Sequence, residues 1–289
     1  MKNPALYSRE TGNSILKSRA ASLLKHAFLL LWCSTTFYPI IWVLLNAFRD
    51  NTQIYGKPFA LPNPLISGNF PKAFKGIRLE ITLVNSLLYA ALTVILVILL
   101  SAMSAFYITK MAKKNTWLYS YFIIGIMIPV QAILIPIFIT MRQFSLINTR
   151  TGLIIIYVAT SLSFGIFILC GFMRKGLPDE ILEAAVIDGC GPIDTFFRVA
   201  LPISQTGIVT VATFIFLGIW NEFLFALLML ANPLLRTLNL SVYMLRGQYS
   251  SDQGLMSAGI TILIAPAILI YILFQEQVVK GLTAGAIKG

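Results

Sequence analysis

The sequence predicts an all-α, polytopic membrane protein with six transmembrane helices. Of the 289 residues, 57% are hydrophobic and only 11% are charged, which is typical of membrane proteins rather than of a soluble core. Six apolar stretches reach the roughly 20 residues that a bilayer-spanning helix needs. The Lys and Arg residues, which give a net charge of +11, gather at the ends of these stretches.

The predicted spans cover residues 26–48, 81–109, 117–141, 152–173, 206–231 and 257–274. An even number of spans places both termini on one side of the membrane. With that side cytoplasmic, 13 of the 22 Lys and Arg residues lie inside, which is the sign expected from the positive-inside rule. The basic residues flank the spans, so we expect a lipid bilayer around this chain and no nucleic acid as a partner.

The segments outside the spans include two predicted elements near the first span. Residues 14–25 (SILKSRAASLLK) place leucines near three basic side chains, which favours an amphipathic helix in the inner interface; a frayed basic tail is the alternative. The cytoplasmic N-terminal segment is taken as residues 1–25. On the other side of the membrane, residues 51–70 contain three prolines and predict an irregular outer loop.

Motifs for catalysis, metal binding and nucleotide binding are absent from the sequence. The three cysteines are widely separated and there is a single histidine, so no zinc site or disulfide framework is indicated. No G-x-x-x-x-G-K-[ST] phosphate loop occurs, and no nucleophile–base set stands out. We therefore expect no enzyme activity, no metal and no cofactor on this chain.

Two polar sites within the spans are candidates for a solute pathway. Glu222 is costly at membrane depth and either lies with Asn221 near a transport path or is an interfacial, structural carboxylate. Gln131 follows Pro129, whose ring frees a backbone carbonyl, and either lines a pathway or belongs to a static kink. The small polar residues pose the same choice, with helix packing favoured: Asn85, Ser86, Ser101, Ser104, Ser161 and Ser163.

The connection between the fourth and fifth spans, residues 174–204, is called the inner loop. Pro178 suits the first turn of a helix, where its missing N–H has no cost, and Asp179 favours the positive helix end. Gly189 is suited to the left-handed residue that ends that helix. Gly191-Pro192 begins a second short helix, and Pro202 leads into the next span. The pattern predicts two helices joined by a glycine elbow.

The inner loop has the composition of a docking surface. Ala184 and Ala185 allow a partner to approach closely, while Glu183 and Asp188 offer carboxylates to basic groups. A self-contained cytoplasmic bend is the alternative interpretation.

Two motifs resemble those of a known family. The run Glu183-Ala184-Ala185-x-x-Asp188-Gly189, continued by Phe196, Leu201 and Pro202, resembles the EAA loop of binding-protein-dependent ABC importer permeases. The C-terminal segment QEQVVKGLTAGAIKG resembles the tail of MalG-type carbohydrate permeases. Cys190 and Glu276 depart from the family pattern. The resemblance covers residues 69–289.

The resemblance implies a MetI-like permease of a bacterial cytoplasmic (inner) membrane, with both termini inside. It implies a homologous second permease subunit, two ATPase subunits that bind ATP and magnesium, and an extracytoplasmic solute-binding protein that residues 232–256 can reach. In the inner loop it assigns ATPase coupling to Glu183, Ala184, Ala185, Asp188, Gly189, Phe196 and Pro202. In the cytoplasmic tail, residues 276–289, it assigns contacts with the ATPases to Gly281, Leu282, Thr283, Gly285 and Lys288.

The function predicted from these features is uptake of a sugar or oligosaccharide by an ATP-driven importer whose ATPase resides on separate subunits. The same importer class with glycerol phosphate, a polyamine or a peptide as solute is the alternative. An ion-coupled secondary transporter is disfavoured, because it needs charged relay residues within the spans and only Glu222 is available.

Overall fold

A computed structural model describes the backbone of residues 4–112, 116–246 and 252–286, and the side chains of residues 21–112, 117–246 and 252–276. All regular secondary structure within these ranges is helical, which confirms the all-α prediction for them. The α-helices are α1 Pro4–Asn46, α2 Asn51–Gly56, α3 Asn69–Ile77, α4 Leu79–Phe106, α5 Thr116–Met127, α6 Leu134–Gln143, α7 Arg150–Gly176, α8 Asp179–Ile187, α9 Pro192–Thr195, α10 Leu201–Ile203, α11 Gln205–Asn221, α12 Leu224–Met229, α13 Leu238–Tyr243 and α14 Gln253–Ala286. A 3₁₀ turn, Val130–Ile133, and two π-helical turns, Tyr107–Met111 and Phe196–Ala200, join neighbouring helices.

In the described part of the chain, four helices are long and apolar enough to cross a membrane alone. They are Ala21–Asn46, Leu79–Met111, Arg150–Gly176 and Gln253–Glu276. Two helix pairs satisfy the same test only together: Trp117–Met127 with Val130–Gln143, bent by 87°, and Pro192–Ile203 with Gln205–Asn221, bent by 75°. The first bent pair covers the predicted third span. The second begins at Pro192, inside the predicted connection 174–204, and ends at Asn221, so it overlaps only the first part of the predicted fifth span. The described residues thus contain four continuous candidate spans, or six if each bent pair counts as one span.

Two predicted spans are wrong as single helices. The third, 117–141, breaks at Pro129, which is extended (φ −66°, ψ 121°) and has no N–H to donate. The fifth, 206–231, ends at Asn221, since Glu222 is extended (φ −68°, ψ 136°) and a new helix begins at Leu224. Neither proline nor glycine marks this second break in the sequence.

Other boundaries also differ from the prediction. Residues 14–25 are helical but continuous with the first span in α1, so they do not form a separate element. The last helix begins at Gln253 and extends past residue 274 to Ala286. The outer loop 51–70 is irregular between the short helix α2 and the start of α3 at Asn69. Asp50 caps α2 by accepting a hydrogen bond from the Gln53 N–H at 2.8 Å.

The core lies where α4, α7 and α11 pack together. Gly165 on α7 faces α4 so closely that a Cβ atom there would lie 3.0 Å from the Ser101 Cβ. Ser101 is fully buried, so its small side chain serves close helix packing, as the sequence favoured. Buried aliphatic side chains from the three helices belong to the same core: Val97, Leu153, Ile166, Leu169, Val211 and Ile215.

Candidate coupling loop and solute cavity

The first half of the inner loop is a helix with a glycine elbow at its end. Gly189 has φ +85°, donates to the Val186 carbonyl at 3.0 Å, and is followed by Cys190, whose N–H donates to the Ala185 carbonyl at 2.9 Å. These two bonds form a Schellman motif, which satisfies carbonyls that the helix end leaves free. The elbow predicted at Gly189 is confirmed. Pro178 lies immediately before the helix rather than in its first turn.

The second half is a helix that continues further than predicted. Pro192 is its first residue, with Gly191 as the N-cap, and it runs through the π-helical turn at Phe196–Ala200 to Ile203. The prediction that Pro202 leads into the span is wrong, because Pro202 lies inside the last helical turn. The chain turns into α11 only at Ser204, where the bend is 75°.

The predicted docking residues divide between the surface and the interior. Glu183, Ala184 and Asp188 are exposed, and so is Pro202. Ala185 is buried, so it cannot offer a surface to a partner; the predicted pair of small surface residues reduces to Ala184.

Phe196 is also buried. Its ring lies 5.6 Å from the Phe106 ring, centroid to centroid, and 4.8 Å from the Phe197 ring. Phe196 therefore holds the inner loop against the end of α4 instead of facing a partner.

The exposed surface of the inner loop is apolar as well as acidic. Ile187 is 85% exposed and Ile193 is 74% exposed, and Val186 beside them is also exposed. Sequence reasoning missed these residues as part of the surface, although aliphatic side chains flanking a Gly-Cys-Gly elbow in a loop were the available signal. The surface of the inner loop thus combines these large aliphatic side chains with the exposed carboxylates of Glu183 and Asp188.

A buried lysine ties the inner loop to α4. The Lys110 side chain is 7% exposed; its ammonium lies 3.0 Å from Asp179 Oδ1 and also donates to the Leu177 carbonyl. Lys110 belongs to the π-helical turn that follows α4, whereas both of its partners lie at the start of the inner loop. In the sequence it is one of the basic residues flanking a span, which gives no sign of this contact.

Gln131 and Glu222 line one cavity of about 330 Å³, together with Tyr157, Phe164 and Phe214. The Glu222 carboxylate accepts from the Phe225 N–H at 2.7 Å and the Ala226 N–H at 3.2 Å, so it caps α12. It also accepts from the Tyr157 hydroxyl at 2.7 Å. Glu222 therefore has a structural role and at the same time forms a wall of the cavity.

The third candidate pathway residue, Asn221, has a different environment. Its side chain is exposed and donates to the Leu217 carbonyl of its own helix at 2.8 Å. Its backbone carbonyl accepts from Asn239 at 3.0 Å. The structure thus brings Gln131 and Glu222 together and directs the Asn221 amide back along α11.

Asn85 and Ser86 bind the backbone after α12. Asn85 donates to the carbonyls of Leu234 at 2.9 Å and Arg236 at 3.2 Å, and the Ser86 hydroxyl accepts from the Leu238 N–H at 2.7 Å. The packing interpretation holds for both residues.

The tail and the metal prediction can be compared with the structure only in part. The backbone at Gly281, Leu282, Thr283 and Gly285 is helical as part of α14, whereas Lys288 lies outside the described residues. Within the described ranges, no cluster of three or more His, Cys, Asp or Glu side chains is placed to hold a metal ion.

Apolar spanning helices, a cavity between them and an exposed two-helix loop define a membrane transport protein of the α-helical class. Residues 97–283 match the family described as "Binding-protein-dependent transport system inner membrane component", and the chain belongs to that family. The predicted family is therefore confirmed.

Curated relatives match along most of their length. The diacetylchitobiose uptake system permease protein NgcG of Streptomyces coelicolor is 34% identical over 273 residues, which are 93% of this chain and 90% of the relative. The sulfoquinovosyl glycerol transport system permease protein SmoH of Agrobacterium fabrum is 33% identical over 254 residues, 87% of this chain and 89% of the relative.

The fold is also similar to a solved structure. A chain of a bacterial ABC transporter involved in the import of the acidic polysaccharide alginate superposes with a TM-score of 0.78 and 17% identity, covering 90% of this chain and 97% of that chain. The similarity confirms the permease fold.

Proposed function

We propose that this chain is a permease subunit of an ATP-driven ABC importer that takes up a sugar or oligosaccharide delivered by a solute-binding protein. The family and the names of the relatives, which include permeases for diacetylchitobiose and sulfoquinovosyl glycerol, support this function. They favour a carbohydrate over glycerol phosphate, a polyamine or a peptide. A binding assay with the cognate solute-binding protein tests the solute class; selective binding of a polyamine or a peptide would contradict the carbohydrate assignment.

The observation that carries the proposal is the exposed face of the inner loop. Glu183 and Asp188 present carboxylates there, beside Ile187 and Ile193, on a folded two-helix element. A helix with an apolar and acidic face suits a groove on an ATPase that is lined by basic and apolar groups. ATP and magnesium are bound by those separate subunits, which is consistent with a permease sequence that has no phosphate loop.

The docking role is tested by reversing one charge. We expect Glu183→Lys to leave the protein inserted while weakening co-purification of the ATPase subunits about tenfold, since a like charge then faces the basic groups. Glu80→Lys is the control. It makes the same change at an exposed position in the first turn of α4, at the end of that helix that lies away from the inner loop. Equal co-purification of Glu183→Lys and wild type would refute the docking role.

Further partners follow from the same proposal. A homologous second permease subunit completes the transmembrane part, both termini are cytoplasmic, and the tail at residues 281–289 reaches the ATPase subunits. Residues 232–256 face the solute-binding protein.

The coupling role of the tail is tested by deletion. We expect deletion of residues 283–289 to reduce solute-stimulated ATP hydrolysis without preventing insertion; unaltered stimulation would exclude a coupling role for the tail.

The cavity at Gln131 and Glu222 is proposed as part of the solute path. Tyr157, Phe164 and Phe214 offer aromatic surface, and the Gln131 amide and Glu222 carboxylate offer polar groups to hydroxyls. We expect Gln131→Leu to raise the solute concentration needed for half-maximal uptake. Asn221→Leu is the comparison, because the Asn221 amide binds the Leu217 carbonyl of its own helix. The solute concentration for half-maximal uptake in this variant shows whether Asn221 belongs to the path.

A further inference from the structure

We propose that Lys110 is a positioning residue that ties α4 to the inner loop, so that displacement of the loop by the ATPase moves α4 with it. The inference rests on the proposed function, because it presupposes that the loop docks on an ATPase. The chain itself joins the inner loop to α7 and to α11, which flank it. Helix α4 is separated from the loop by about 70 residues, so only non-covalent contacts can couple the two.

The Lys110 contact is built to resist separation. A buried ammonium is stable only when its donors are paired, and here Asp179 and the Leu177 carbonyl receive them. Leu177 is itself buried, so water cannot replace the lysine at its carbonyl. Moving the inner loop away from α4 would therefore break the bonds from Lys110 to the Asp179 carboxylate and to the Leu177 carbonyl.

A second contact joins α4 to the other half of the loop. Phe106, the last residue of α4, packs against Phe196, and both rings are buried. Lys110 thus holds the helix before the Gly189 elbow, and Phe106 holds the helix after it. Each helix of the inner loop is therefore in contact with α4 or with the turn that follows α4.

The opposite end of α4 reaches the other side of the bundle. At about 1.5 Å per residue, its 28 residues span roughly 42 Å. Near its start, Asn85 and Ser86 bind the backbone at residues 234–238, on the side proposed to face the solute-binding protein. A rigid helix held at both ends is a physical route for coupling between the ATPase and that side.

An exposed ion pair in the same loop provides the contrast. Arg198 Nε lies 3.2 Å from Asp194 Oδ1, but both side chains are more than half exposed and lie four residues apart on one helix. Such pairs contribute little and join no separate elements. Arg198→Met therefore controls for loss of one positive charge from this end of the molecule.

The experiment uses the complete transporter in lipid nanodiscs, with its second permease, its ATPase subunits and its solute-binding protein. For Lys110→Met we expect normal ATPase co-purification and basal hydrolysis, but stimulation by solute-loaded binding protein reduced about tenfold, within the range of typical coupling energies. Asp179→Asn keeps the bond to Leu177 and should show a smaller loss, about threefold. Lys110→Arg should retain most of the stimulation, and Arg198→Met all of it.

Several outcomes would overturn the inference. Full stimulation of ATP hydrolysis and full uptake in Lys110→Met would show that the contact transmits nothing. The same conclusion would follow if Lys110→Met and Arg198→Met lost stimulation equally. Reduced ATPase co-purification in Lys110→Met would mean that the lysine shapes the docking surface instead. If Lys110→Met fails to insert, full stimulation in Asp179→Asn, which removes a half-exposed carboxylate, decides against the proposal. Failure of the docking role itself is read separately, from normal co-purification of Glu183→Lys.

Discussion

Two connections of the same bundle differ in how they place their apolar side chains. The inner loop, residues 174–204, exposes Ile187 and Ile193 on a folded two-helix element. The outer segment, residues 230–246, buries Leu238 and Leu240 and gives its backbone carbonyls to side chains of α4. The difference is one of degree: Ile187 is 85% exposed, whereas the most exposed large hydrophobic residue described in the outer segment, Leu234, is 47% exposed. Apolar surface as exposed as that of the inner loop is suited to contact with a second protein.

The hydrogen bonds of the two connections differ in the same way. In the inner loop the elbow satisfies its carbonyls locally, through the N–H groups of Gly189 and Cys190. In the outer segment the partners come from far along the chain: Asn85 and Tyr89 donate to carbonyls about 150 residues away. The Gly189 elbow is thus closed by its own neighbours, whereas the outer segment is bound to α4 through the Asn85 and Tyr89 side chains.

The largest effect is expected from placing a charge on the apolar surface of the inner loop. Ile187→Asp should leave the fold intact, because the side chain is 85% exposed, but weaken ATPase association about 100-fold, since the new carboxylate loses its water on docking. Co-purification measures the effect. Leu61→Asp, at an exposed position in the outer loop 51–70, is the control and should leave the association unchanged. Loss of association in both variants would count against the contrast between the two faces.

A smaller effect is expected from loosening the outer segment. Asn85→Leu removes the donor to the Leu234 and Arg236 carbonyls and the acceptor for Arg150 at 3.2 Å, which should lower the free energy of unfolding by about 2 kcal/mol. Thermal unfolding in detergent measures this. Asn221→Leu removes an exposed amide that binds its own helix, and its loss should be under about 0.5 kcal/mol. Equal losses in the two variants would mean that α4 does not hold the outer segment.

The elbow of the inner loop should be sensitive to conformation alone. Gly189→Ala forces a side chain into the left-handed region at φ +85°, with nothing within 4 Å to clash, so we expect a cost of about 1 kcal/mol from the backbone. Gly171→Ala is the matched control, since Gly171 lies inside helix α7 and a Cβ there also has nothing within 4 Å. Similar unfolding temperatures for the two alanine variants would show that the elbow tolerates other conformations.

The smallest effect concerns pH at the outer loop 51–70. Hydrogen bonds from the Thr52 hydroxyl and the Gln53 N–H lower the pKa of Asp50 below its ordinary value. A lowered folded-state pKa stabilises the fold above the unfolded value, roughly 4, and this contribution is lost as the pH falls through the folded value. The stability difference between wild type and Asp50→Ala should therefore be constant near pH 6 and shrink below pH 4. A difference that grows on acidification would contradict this.

Much of the site could be predicted because its signals are local. The Gly189 elbow follows from one residue type at a helix end, and the two-helix form of the inner loop follows from its prolines and glycines. The break at Pro129 was visible as a proline, although its 87° angle was not. In contrast, the break at Glu222 depends on bonds from Phe225, Ala226 and Tyr157, the last of which is 65 residues away.

The sequence by itself determined the class of fold, the positions of the apolar spans and the inner-loop motif, because hydrophobic length, turn chemistry and residue spacing act over a few neighbouring residues. Only the tertiary structure decided that Phe196 and Ala185 are buried while Ile187 is exposed, and that Lys110 joins α4 to the inner loop. Those outcomes depend on which surfaces of separate helices pack together. Whether an apolar or charged side chain is buried is decided by that packing and not by the residue type alone.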